Sequence, residues 1–144
     1  MAYAQANQNC KDIAKKMMDN DIKIQKIHRQ MKHVIDAATG KESQNYPRLD
    51  RFNRHVNILI HNLGSRVGIM KGLIEEAKQQ GNNCQKMAKK ISGKVNTMQE
   101  IYVNMGLSLK NPNTSGSKLS ELNKDLEQQA NGANSDLENA VKSF

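Results

Sequence analysis

Four histidines, two cysteines and 14 carboxylates are the residues of this chain that could hold a metal, attack a carbonyl or move a proton. Their spacing favours none of these chemistries. His28, His33, His55 and His61 stand in no i, i+4 relation to one another, and neither His-x-x-x-His nor Glu-x-x-His occurs. A helical metal site needs such pairs on one face, so no metal and no cofactor are expected. The sequence has no phosphate-cradling glycine loop, no G-x-S-x-G and no convergent acidic pair in a loop. Its acids are spread over polar helix faces, where solvation is the expected state. The chain reads as a non-enzyme.

Cys10 and Cys84 have no histidine within helical reach, so neither reads as a nucleophile. In a reducing compartment each would be a buried thiol in the first core layer of its helix. In an oxidising one they would form a disulfide, provided their Cα atoms come within about 7 Å.

Binding is the remaining class of activity. The formal charge of +8 favours acidic partners: nucleic acid, anionic lipid or an acidic protein face. Arg29, Lys32, Lys41, Arg48, Arg51 and Arg54, with His33 and His55, gather around one helix-to-helix turn. The last three arginines fall in the opening turns of a helix, where the dipole disfavours cations, which points to an anionic ligand. Asp36, Glu42 and Asp50 share that corner, and no nucleic-acid-binding signature is present. Lys15, Lys16, Lys89 and Lys90 would lie at one level if the first and third helices run parallel, making a second, weaker basic site.

Two apolar features point to a protein partner. Gly64, Gly68 and Gly72 recur every four residues inside one helix. Each costs about 1 kcal/mol against alanine there, so three together call for a reason. They occupy outward positions, a smooth strip against which a partner helix or second subunit could pack. Met18 and Ile22, one turn apart beside the core stripe of the first helix, would widen such a contact.

The elements that must position these residues come from repetition. Residues 83–91 read N-C-Q-K-M-A-K-K-I, and residues 9–17 read N-C-K-D-I-A-K-K-M. The ungapped match continues from 24–27 to 98–101 and from Met31 to Met105, and 49–56 answers to 119–126. Two copies of a helical hairpin are therefore expected, at about 9–80 and about 83–144, in one domain. Heptad spacing supports the helices: Cys10, Ile13, Met17, Asn20, Ile24, Ile27, Met31, Val34 and Ala38 in the first, and Leu49, Phe52, Val56, Leu59, Leu63, Met70, Leu73 and Ala77 in the second. In the last helix the stripe is Leu119, Leu122, Leu126, Ala130, Ala133, Leu137, Val141 and Phe144. Residues 1–8 are expected to fray ahead of an N-cap at Asn9. The predicted fold is an all-α antiparallel four-helix bundle. Because the heptad register survives Gly81, one long central helix over about 48–109 is the alternative.

Residues 63–73, L-G-S-R-V-G-I-M-K-G-L, resemble the early heptads of the Q-type membrane-fusion helices of the SNARE class. The layer that holds glutamine in those helices would hold Cys84 here, and no anchor follows, so the resemblance does not extend to membership. No stretch approaches the roughly 18–20 apolar residues of a membrane span, and no signal-peptide core is visible. Ala2-Tyr3-Ala4 has the small-x-small look of a processing remnant. A cytoplasmic setting is the first expectation, and a secreted or periplasmic one follows if that remnant is real. The expected function is a protein-interaction or assembly role, as adaptor, chaperone, inhibitor or structural subunit, either in a homo-oligomer or on another protein. The alternative is a basic accessory protein that binds nucleic acid or a peripheral anionic membrane surface.

Overall fold

The computed structural model describes residues 2–38, 46–110 and 116–144, with side chains for 5–37, 51–110 and 117–144. Expectations for Lys41 and for the Arg48 side chain lie outside the described residues. The described residues form four helices: α1 (Ala2–Ala38), α2 (Tyr46–Lys78), α3 (Asn82–Lys110) and α4 (Gly116–Ser143). They pack as an antiparallel four-helix bundle in which α1 and α3 each adjoin α2 and α4 and face one another only across the diagonal. Among the described residues no helix is long and apolar enough to cross a membrane.

The heptad positions become the core. Met17, Ile24, Met31, Leu63, Met70, Ile91, Met98, Met105, Leu126 and Leu137 are fully buried. With two phenylalanines and no tryptophan in the chain, isoleucine, valine, leucine and alanine fill the space between helices, methionine taking the irregular gaps. On α2 the stripe moves sideways where Arg66 falls on the seam: Val67 and Ile74 are buried, whereas Arg66 and Leu73 are half-buried. The offset of 74 that aligns the two halves in sequence also aligns buried positions: Cys10 with Cys84, Met17 with Ile91, Ile24 with Met98, and Met31 with Met105. An offset of 70 does the same for α2 and α4, pairing Val56 with Leu126, Leu63 with Ala133 and Val67 with Leu137.

The long central helix does not form. Gly81 adopts φ of 99°, a left-handed conformation open to glycine at little cost, and it separates α2 from α3. The end of α2 tightens, with the Gln79 and Gln80 amides donating to the carbonyls of Glu76 and Ala77 at 3.1 Å. The Gln85 side chain then reaches back from α3 and donates to the Lys78 carbonyl at 3.0 Å.

The N-terminus differs from expectation. Asn9 is not an N-cap, because α1 already starts at Ala2. Alanines 2, 4 and 6 favour helix, and two i, i+4 bonds brace the added turns: Gln5 to the Asn9 carboxamide oxygen and Gln8 to Asp12, both 3.0 Å. Asn9 in turn donates to the Gln80 side chain at 3.2 Å, tying α1 to the end of α2.

Candidate functional site

The seams hold polar groups that set register. Asn20 is buried and donates to the backbone carbonyl of Arg66 on α2 at 2.7 Å. At the positions related by the two offsets, Lys94 on α3 donates to Asp136 on α4 at 2.6 Å. Each hairpin therefore carries one polar cross-link at the same level. A one-residue slip would leave these groups buried and unpaired, which penalises the wrong register. Gly132 belongs to this link: a Cβ there would sit 2.8 Å from Lys94 Cε, so the glycine that weakens α4 also makes room for the lysine stem.

A second polar set lies between α1 and α4. Asn123 is buried and donates to the His28 carbonyl at 3.1 Å, while His28 Nε2 lies 3.1 Å from Glu127 Oε2. One turn pair away, Asp21 is fully buried; Gln25 donates to its Oδ2 at 3.0 Å, and Oδ1 has no hydrogen-bond partner. Burial pushes its carboxyl up to about 7, with the Gln25 bond opposing that rise in part. This corrects the expectation that the acids occupy solvated faces. The signal was present in the repeat: the residue equivalent to Asp21 is Val95, which is also fully buried.

The residues expected to form one glycine strip separate. Gly64 packs under the Tyr102 ring of α3, where a Cβ would come within 3.4 Å, while Gly68 and Gly72 face open space. Gly68→Ala should therefore raise stability by about 1 kcal/mol, as should Gly72→Ala, because each gains helix propensity without a clash. Urea unfolding with an unchanged m-value would register this. Met18 is half-buried and packs against the core, whereas Ile22 is exposed.

The described residues of the basic corner lie at the surface. Arg29, Lys32, Arg51 and Arg54 are exposed. Lys32 pairs with Asp36 at 2.8 Å, and that carboxylate holds its ammonium above the ordinary lysine range. Lys15, Lys16, Lys89 and Lys90 are exposed on two helices that face each other only across the diagonal, so they form two patches instead of one site.

A concavity lies between α2 and α3. It is a solvent-open groove of about 910 Å³. From α2 it is lined by Asn53, Arg54, Asn57, Ile60, His61, Gly64 and Ser65, and from α3 by Tyr102, Val103, Gly106, Leu107, Leu109 and Lys110. No described lining residue is acidic. Arg54, near the start of α2, and Lys110, at the end of α3, both line the groove toward one end because the helices are antiparallel. Val103 and Leu107, one turn apart on α3, are 45% and 58% exposed. Of the residues singled out in sequence, Arg54, His61 and Gly64 line the groove. Its α3 wall escaped notice because Val103 and Leu107 lie off the heptad stripe, where single apolar residues carry no message. Compared with known proteins, the chain matches no family model, no curated protein and no solved structure.

Proposed function

We propose that this chain is a non-enzymatic interaction or assembly protein that works by docking a helix along the α2–α3 edge. The observation that carries the reading is the apolar pair Val103 and Leu107, exposed beside a groove whose walls include Gly64 and Gly106. Small residues let a partner backbone approach, and an exposed i, i+4 apolar pair is the usual anchor of helix-in-groove recognition. The Cys10–Cys84 disulfide favours an oxidising compartment for this work.

Light scattering coupled to gel filtration, on wild type, Leu107→Lys and Gly68→Leu at low and high salt, tests self-docking. An oligomer that Leu107→Lys dissociates at both salts, and that Gly68→Leu leaves intact, would identify the groove as a subunit interface. A monomer in every case turns the reading to a foreign helix.

One observation favours the second reading, an accessory protein for nucleic acid or another anionic surface. α3 carries five lysines against the single acid Glu100, and α2 carries six basic residues against three acids, whereas α4 has three lysines against five acids. Electrostatic binding of this kind should weaken steeply with salt. Duplex DNA affinity that is flat with salt, or absent, would remove it.

A further inference from the structure

The α2–α3 groove is chemically lopsided. Its floor and outer wall are apolar, with Ile60, Val103 and Leu107 among the lining side chains. Arg54 and Lys110 border one end, and His61 lies two turns along α2 from Arg54 on the same face. Past the opposite end, Val103 also borders a smaller hollow lined in part by Glu100. Charge along the groove thus runs from basic, through apolar, to acidic.

From this asymmetry we infer that the occupant is a single amphipathic helix of a protein partner, with Asp or Glu flanking its apolar stripe at the end that meets Arg54 and Lys110. The inference rests on the helix-docking reading above and specifies its partner. The lined part of α2 spans residues 53–65, on the order of 18 Å of helix, which accommodates about three turns of an occupant. An apolar stripe at i, i+3, i+4 and i+7 would cover Val103 and Leu107. The acidic end would gain complementary contacts that a basic helix would lose, so charge selects the partner and fixes its direction. The Glu100 end disfavours a helix acidic throughout, so the acids belong at one end.

The test uses the full-length oxidised protein, isotopically labelled, and fluorescent helical peptides of about 14 residues. One peptide has an apolar stripe with glutamates at one end, a second replaces those glutamates with lysine, and a third keeps the glutamates but replaces the stripe with serine. The expected result is binding of the first peptide about tenfold tighter than the second at low salt, with amide shifts at Gly64, Tyr102 and Gly106. The paired change Arg54→Glu and Lys110→Glu should reverse that preference, and Leu107→Lys should abolish binding of both. No groove shifts with any peptide would overturn helix docking itself. Equal groove binding by the first and second peptides would leave docking standing and sink the acidic assignment. A serine peptide that binds as well as the first would also sink it, because charge alone would then suffice. Anionic phospholipid vesicles that shift these amides when the peptides do not would replace the protein partner with a membrane surface.

Discussion

Loss of the Cys10–Cys84 bond should lower stability by about 4 kcal/mol, among the largest effects of any small change to this protein. The two sulfur atoms are 2.11 Å apart, and the bond closes a sequence separation of 74 residues. Cross-linking so long a segment removes much of the conformational freedom of the unfolded chain, which is where most of the effect arises in the chain-entropy account. A native-state contribution adds to this. The bond joins α1 to α3, the diagonal pair that otherwise meets little, at the end where both helices begin. Both cysteines are about 1% exposed, so reductant should act slowly on the folded protein and rapidly during unfolding. The paired variant Cys10→Ala and Cys84→Ala avoids burying a hydroxyl. Chemical denaturation of that variant against oxidised wild type gives the number. A loss below about 1 kcal/mol would mean that the denatured chain is already restrained or that the bond is not made in solution.

Asp21→Val should stabilise the protein, and the gain should grow with pH. The sign follows from the two pKa values. The folded carboxyl titrates at about 7 and the unfolded one at 3.8. Between them the folded state holds a proton that the unfolded state has released, so wild-type stability falls as pH rises through this window. The favourable contribution is complete below about pH 4 and gone above about pH 7. Its full size is at most about 4 kcal/mol, at roughly 1.4 kcal/mol for each pH unit. Asp21→Asn imitates the protonated carboxyl in shape, so it separates charge from packing. Each variant should show a stability difference from wild type that is larger at pH 8 than at pH 5. A difference that stays constant from pH 4 to pH 8 would show that the Asp21 side chain reaches water and that its burial is not maintained. Val95, at the equivalent position of the other hairpin, shows that an aliphatic residue suits this environment.

These expectations draw on different levels of the molecule. Leu126, Ala130, Ala133 and Leu137 could be assigned to the core from spacing, because apolar residues three and four apart share one face of any α-helix. Met17, Ile24 and Met31 follow the same rule. The all-helical class and the antiparallel bundle follow from those stripes and the short connections between them. The break at Gly81 was legible less directly, since heptad spacing runs through it; local backbone chemistry at one glycine decided against continuation. The extension of α1 to Ala2 was missed because an N-cap residue such as Asn9 can also pair along a helix already begun.

The candidate site was legible only in fragments. Gly64 and Arg54 drew attention through type and spacing, but Lys110, Tyr102 and Leu107 become their neighbours only when α3 packs antiparallel to α2. Spacing along one helix states which residues share a face; it does not state which face of another helix they meet. Likewise, Asp21 carries no mark in its own heptad that separates a solvated acid from a buried one, because that depends on how the neighbouring helices pack over it. By itself the sequence determined the all-helical class, most of the buried faces, the excess of positive charge and the matching positions of the two cysteines. Tertiary structure alone decided that those cysteines meet across a diagonal, that the chain breaks at Gly81 into separate α2 and α3, and that the α2–α3 edge stays open. These outcomes depend on the relative placement of separate helices, which no periodicity within one helix encodes.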